Sequence, residues 1–168
     1  MKLERVGSLT LRYGSSEGHS GHEGDGQYRG RLLGTLEGDE LSGELDLTNR
    51  GQFRADGILT PTLRGLLTTP DGARLYATLD GLSLPDDGAG EDRRIVLTAM
   101  TLRTGDDRYK KWNSVLFLFE GRGGPDSETW AMRGSLFRCD PTPEDLAIDA
   151  RPTKKLRRAK PTRRRVRS

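Results

Sequence analysis

The chain has 168 residues, enough for one domain with a single core, and its 28 lysines and arginines against 25 acids give a net charge of +3. Only 32% of residues are hydrophobic, and 22 glycines with 8 prolines cut the chain into short pieces, which argues against a helix bundle and leaves no apolar run long enough for a membrane helix. A single cysteine, Cys139, excludes intrachain disulfides and thiolate zinc sites.

Leu9, Leu11 and Tyr13 alternate with Thr10 and Arg12, the period of two that marks a strand with one buried face. Residues 14–26 hold no large apolar side chain and read as a loop outside the core, with both histidines, His19 and His22, inside it. Segments 28–36 and 41–48, separated by Glu37-Gly38-Asp39-Glu40, form a hairpin pattern, and Asn49-Arg50-Gly51 reads as the turn after it. Thr69-Pro70-Asp71-Gly72 is a stronger turn signal, because Pro presets φ and Gly accepts a positive φ; it joins strands over 58–68 and 73–84. Pro61 offers no N–H, which places its strand on an edge or at a bulge.

Residues 84–91 read as a loop. Residues 94–102, RIVLTAMTL, and 115–119, VLFLF, are apolar at both parities, as expected of strands covered on two sides. Residues 121–127 read as a turn, with Gly121 to Gly124 as a hairpin, and over 129–139 Trp130, Met132 and Leu136 alternate with Ala131, Arg133 and Ser135. About nine short strands at this spacing define an all-β domain over 1–140, an antiparallel barrel or sandwich.

Thr142-Pro143-Glu144-Asp145 has the composition of a helix start, giving a short helix over 141–150. Residues 151–168 then carry ten positive charges and no acid, which leaves 18 basic against 25 acidic residues in the rest of the chain. Mutual repulsion makes this tail disordered in expectation. Lys154, Lys155, Arg157, Arg158, Arg163, Arg164 and Arg165 are candidates for salt-sensitive contact with nucleic acid or another polyanion. No aromatic is interleaved, so base stacking and sequence preference are not expected; a solubilising appendage, or contact with the acidic body, are the other readings of the same charges. Met1 to Tyr13 carries charges where a signal peptide needs an apolar segment, so the expected location is the cytoplasm.

Several pieces in order resemble a known family. They are G-x-L-x-G at Gly34 to Gly38, R-x-D-G at Arg54 to Gly57, Arg64, D-G-A-x-x-Y at Asp71 to Tyr76, and R-T-G-x-x-R-Y at Arg103 to Tyr109, followed by Asn113 and Gly121. Over roughly residues 3–139 the chain resembles the bacterial domain of unknown function 3237. That resemblance implies a closed antiparallel β-barrel of eight or nine strands, similar to lipocalins and allene oxide cyclases, in a family without an established activity. The chain departs from the family pattern at Thr62, where an Asp is usual, at Gly65, where an aromatic is usual, and at Lys111-Trp112-Asn113, which replaces a Trp-Leu-Asn run.

Candidate chemistry gathers first on Arg54, Asp56, Arg64 and Tyr76. Arg54 and Asp56 share one parity of a strand, and either they line a barrel lumen as polar anchors or they form a solvent-facing pair worth under about 1 kcal/mol. Tyr109, Trp112 and Asn113 follow a turn, and either rim the barrel mouth or plug it. His19-x-x-His22 with Glu23 and Asp25 has metal-ligand composition but sits among Gly and Ser without supporting groups, so no metal site is expected. No phosphate-cradling or dinucleotide motif occurs, and no cofactor is expected. The sequence therefore suggests a barrel that binds a small apolar or anionic molecule, with cofactor-free isomerisation or cyclisation by proton transfer as its enzymatic form. The alternatives are a non-enzymatic scaffold tethered to a polyanion by its tail, and a homo-oligomeric structural module.

Overall fold

The computed structural model describes residues 1–20, 25–86, 88, 92–126 and 129–141. The helix expected to begin at Thr142, the basic tail over 151–168, and His22 with Glu23 lie outside the described residues.

The strands are β1 (Lys2–Ser20), β2 (Gly26–Glu37), β3 (Gly43–Phe53), β4 (Leu59–Thr60), β5 (Thr62–Thr68), β6 (Arg74–Pro85), β7 (Arg94–Arg103), β8 (Leu116–Pro125) and β9 (Trp130–Asp140). All pairings are antiparallel. The series β2-β1-β9-β8-β7-β6 continues through β5 and β3 and returns to β2, closing an eight-stranded barrel to which the short β4 is added. Closure satisfies every strand edge, which an open sheet of this length would leave exposed.

Side chains alternate between lumen and solvent, so each strand has one inward parity. Leu9 and Leu11, Leu45 and Leu47, and Leu75, Ala77 and Leu79 point inward and are buried. Phe117, Phe119, Met100 and Leu136 meet them from the far wall. Burying each large aliphatic side chain contributes about 1.5–3 kcal/mol, so this leucine-rich lumen is the main source of stability. The reading of β7 as covered on two faces is corrected: Leu97 is 42% exposed on the outer face, because a single barrel has only one buried side.

One end of the lumen is closed. A 3₁₀ turn over Lys110–Ser114 carries Trp112, 2% exposed, onto Phe117 with ring centroids 5.7 Å apart. Asn113 staples the turn, its Oδ1 accepting from the Thr104 N–H at 2.8 Å and its Nδ2 donating to the Thr104 carbonyl at 3.0 Å. Arg108 donates to Asp106 and to Asp71 of the β5–β6 turn, and the Tyr109 hydroxyl donates to Asp71 at 3.0 Å. The Asp71 and Arg108–Tyr109 pieces of the family pattern are thus joined here.

Four sequence expectations are corrected. Residues 14–20 are strand, not loop, because β1 keeps pairing with β2 as far as Ser20 opposite Gly26. Residues 49–51 continue β3, and 121–125 continue β8. The glycines there are not turn residues; Gly51 makes room for the Tyr28 ring and Gly123 for the Trp130 ring, each from an adjacent strand. Pro61 does not mark an edge but the short break between β4 and β5.

Candidate functional site

Among the described residues the other end of the barrel is open and leads into a cavity of about 380 Å³. Its walls are the inward-facing residues at the ends of the strands. Tyr13 continues the inward parity of Leu9 and Leu11, and Asn49 that of Leu45 and Leu47. Ser83 follows Leu79, and Arg94 precedes Val96 and Met100. Trp130 and Met132 close the ring on β9. A register shift between Tyr13 and Ser15 adds one residue to β1, so that both Tyr13 and Ser16 reach the cavity.

Three aromatic walls lie directly against glycines. A Cβ on Gly30 would stand 2.5 Å from a Tyr13 ring carbon, one on Gly51 2.3 Å from Tyr28, and one on Gly123 2.2 Å from Trp130. Each ring therefore occupies the space that a side chain at the glycine would fill. Tyr13 and Trp130 meet edge to face with centroids 5.9 Å apart, an arrangement worth about 0.5–1.5 kcal/mol beyond area burial.

Asn49 is the polar centre of this end and is 1% exposed. Its Oδ1 accepts from the Thr62 N–H at 3.0 Å, which fixes the amide so that Nδ2 donates to the Tyr13 hydroxyl at 2.7 Å. The Tyr13 oxygen is thereby engaged as an acceptor, and its hydroxyl shares a hydrogen bond with Tyr28, which joins the two phenols at the cavity wall. Burial, and secondarily the neighbouring Tyr28 phenol, push the Tyr13 ionisation well above its ordinary value, against the opposing hydrogen bond from Asn49. Tyr28 is also pushed up by burial, with Asn49, Arg94 and Tyr13 pulling the other way. Both phenols are neutral donors at physiological pH.

Arg94 is half-buried. Its Nε donates to Ser83 Oγ at 2.9 Å, and its Nη2 to the carbonyls of Ser83 at 2.6 Å and Gly57 at 2.5 Å. No carboxylate among the described residues lies within ion-pairing distance of it. Burial lowers its pKa, while Tyr28 and Asp92 act in the opposite sense; a guanidinium nonetheless stays charged. Asp92, exposed at the rim, has φ +62, the one non-glycine positive φ among the described residues.

The residues singled out from sequence fall elsewhere. Arg54 and Asp56 do not share a strand face, because β3 ends at Phe53; they pair with each other at 2.5 Å in the exposed turn after it. Arg64 is on the outer surface of β5, paired with Asp80 at 2.7 Å, and Tyr76 is 44% exposed on the outer surface of β6. The four do not converge. Tyr109, Trp112 and Asn113 are at the closed end, opposite the cavity. Gly65 accepts no aromatic here, since a Cβ would stand 2.0 Å from the Asp46 carbonyl oxygen. Among the described residues no three His, Cys, Asp or Glu side chains gather for a metal, and no helix is long and apolar enough to cross a membrane.

No family model matches the chain, and no curated protein matches it. Solved structures do. A β-barrel-like protein from Acinetobacter baumannii superimposes with a TM-score of 0.69 at 15% identity, covering 82% of this chain and 96% of its own. A protein of unknown function from Clostridium acetobutylicum gives 0.68 at 18% identity, covering 83% and 97%. An enzyme from Penicillium herquei gives 0.58 at 19% identity, covering 80% and 93%. These likenesses place the chain among β-barrel proteins of this shape, most of them without a known function.

Proposed function

We propose that the protein is a small-molecule-binding barrel whose ligand enters the open end, and that its chemistry is cofactor-free isomerisation or cyclisation by proton transfer. The observation that carries this reading is the Tyr13–Asn49–Thr62 chain: a buried amide locked by backbone presents a neutral phenol to an aromatic-walled cavity. A fixed donor of this kind stabilises oxygen charge as it develops, without reorganisation at the moment of reaction.

The step is a proton shift next to a carbonyl. The Asp92 carboxylate takes a proton from the carbon beside the carbonyl, and the C–H electron pair moves to the oxygen. The linked Tyr13 and Tyr28 hydroxyls hold that oxygen by hydrogen bonding, and the proton returns from Asp92 to a different atom of the enolate, which gives an isomer with no net loss or gain of atoms. Arg94 anchors the ligand at a second oxygen. One structural neighbour being an enzyme is compatible with this, though the likeness extends to fold alone.

The test uses tetralone, a two-ring enolisable ketone of cavity size. Its hydrogen exchange beside the carbonyl, followed by NMR in deuterated buffer, is accelerated by the native protein. Tyr13→Phe and Asp92→Asn each remove most of that acceleration, a loss on the order of 10²-fold for a lost general acid or base. Exchange equal to that in buffer alone sinks the catalytic reading, and absence of tetralone-induced shifts at the mouth residues sinks the binding reading as well.

A further inference from the structure

The charge and shape of the cavity define its ligand more narrowly than the proposed function requires. Arg94 brings a positive charge to the lumen, and no carboxylate of the described residues comes within ion-pairing distance of it; Asp92 acts on it only from further away. Its Nε and Nη2 are committed to Ser83 and Gly57, which fixes the plane of the guanidinium, while Nη1 makes no hydrogen bond to the described residues. A half-buried cation with an unused donor is costly unless an acceptor completes it, and the remaining Nη1 suits a single carboxylate or phenolate oxygen. Asp92 is the other described ionisable group of fixed charge at this mouth. Its negative charge at the rim admits one anionic group beside Arg94 and repels a second.

The rest of the wall is apolar or aromatic. Trp130 and Tyr13 stand edge to face, and Leu59, Pro61, Val96 and Met132 supply the remaining surface. The rings are seated where the glycines behind them lack a side chain, so Tyr13 and Trp130 meet at 63° and wall the cavity on two sides. Its volume of about 380 Å³ is near the lower end of the roughly 300–1,000 Å³ of small-molecule sites. Trp112 and the packed leucines block the far end, so no long chain can thread the lumen.

We infer that the ligand is a small, largely apolar ring molecule bearing a single anionic oxygen group, seated with that group on Arg94 and its apolar body against Trp130 and Tyr13. This rests on the reading of the open end as a binding site. The Tyr13 hydroxyl then faces a second, neutral oxygen on the same frame, and the anionic group sets the orientation. Phosphates and other dianions are excluded by Asp92, and neutral apolar molecules bind more weakly, held by the cavity wall and the phenols alone.

The experiment is a calorimetric titration of the full chain with three matched probes: naphthoate, naphthamide and naphthalene dicarboxylate. Naphthoate binds at least about tenfold more tightly than the neutral amide and the dianion. Arg94→Gln abolishes the preference for naphthoate but leaves naphthamide binding. Because that variant can fail for structural reasons, the native protein supplies a second measurement, in which naphthoate binding weakens with ionic strength and naphthamide binding does not. Equal binding of naphthoate and naphthamide, insensitive to salt, overturns the inference and leaves the cavity reading standing. Tighter binding of the dianion overturns the assigned charge, and failure of all three probes to bind overturns both the inference and the cavity reading.

Discussion

Arg94 and Gly57 are 37 residues apart in the chain, yet the guanidinium Nη2 donates to the glycine carbonyl at 2.5 Å. Gly57 reaches that position through φ +79, and the turn is braced by the Asp56 carboxylate, which pairs with Arg54 and accepts from the Ile58 N–H at 3.2 Å. The R-x-D-G piece is thus tied to the cavity by its backbone rather than by its charged side chains.

Replacing Gly57 with Val tests this tie. A β-branched residue is strained at that φ by about 1–3 kcal/mol, so the turn rearranges and the carbonyl leaves Arg94. Naphthoate affinity falls about three- to tenfold by calorimetry, because the guanidinium loses one of the bonds that orient it, and naphthamide affinity is unchanged. Arg54→Ala removes only the exposed ion pair and shifts naphthoate affinity by less than about twofold.

Asn49→Leu keeps approximate size and removes the amide. The Thr62 N–H and the Tyr13 hydroxyl both lose a partner in a buried site, at about 1–3 kcal/mol for each unsatisfied group. The urea midpoint therefore falls with the slope unchanged, since the fold remains and only its stability drops. A midpoint within error of the native protein contradicts the central place given to Asn49.

The barrel was legible because the alternation over residues 9–13, 28–36, 73–84 and 129–139 has the period of strands, and Thr69 to Gly72 forms the turn its residue types demand. The mouth was legible only in part. Tyr13, Asn49 and Arg94 each continue the inward parity of a leucine, valine or methionine series, which is the signal in the sequence that points them to the lumen, though none of them is among the candidates the sequence singles out. Reading Asn49 to Gly51 as a turn hid that parity on β3. Arg54 and Asp56 attracted attention by their charge, but the end of β3 at Phe53 removes the strand alternation on which their facing depended. Which glycine accommodates which ring is a cross-strand fact, absent from local pattern.

The tyrosines give the protein a defined alkaline response. Burial raises Tyr13 above its ordinary 10.0, so the folded state holds its proton at pH values where the unfolded chain has released it. The associated stability is fully present below about pH 10 and is lost as pH rises through the higher folded-state value. Urea unfolding measured from about pH 9 to about pH 11 shows a steeper loss for the native protein than for Tyr13→Phe, which lacks the ionising group. Parallel curves for the two proteins rule out Tyr13 as the source.

The closed end makes the opposite prediction for binding. Trp112 contributes a large apolar area beside Phe117, and its removal costs about 3–5 kcal/mol in a site that cannot collapse fully. Asp71 is held ionised below the usual carboxylate range, first by the Thr69 hydroxyl, with Tyr109 and Arg108 adding to it against the opposing effect of desolvation. Its contribution to stability is present above the ordinary carboxylate pKa of about 3.9 and is lost as pH falls further. Trp112→Ala and Asp71→Asn therefore lower the melting temperature, Trp112→Ala by far the more. Both leave naphthoate affinity within about twofold of native, because strands β6 and β7 run the length of the barrel between them and Arg94. A loss of affinity in either variant that matches the loss in Arg94→Gln, at a temperature where the variant is folded, moves the binding site to the closed end and to Tyr109, Trp112 and Asn113.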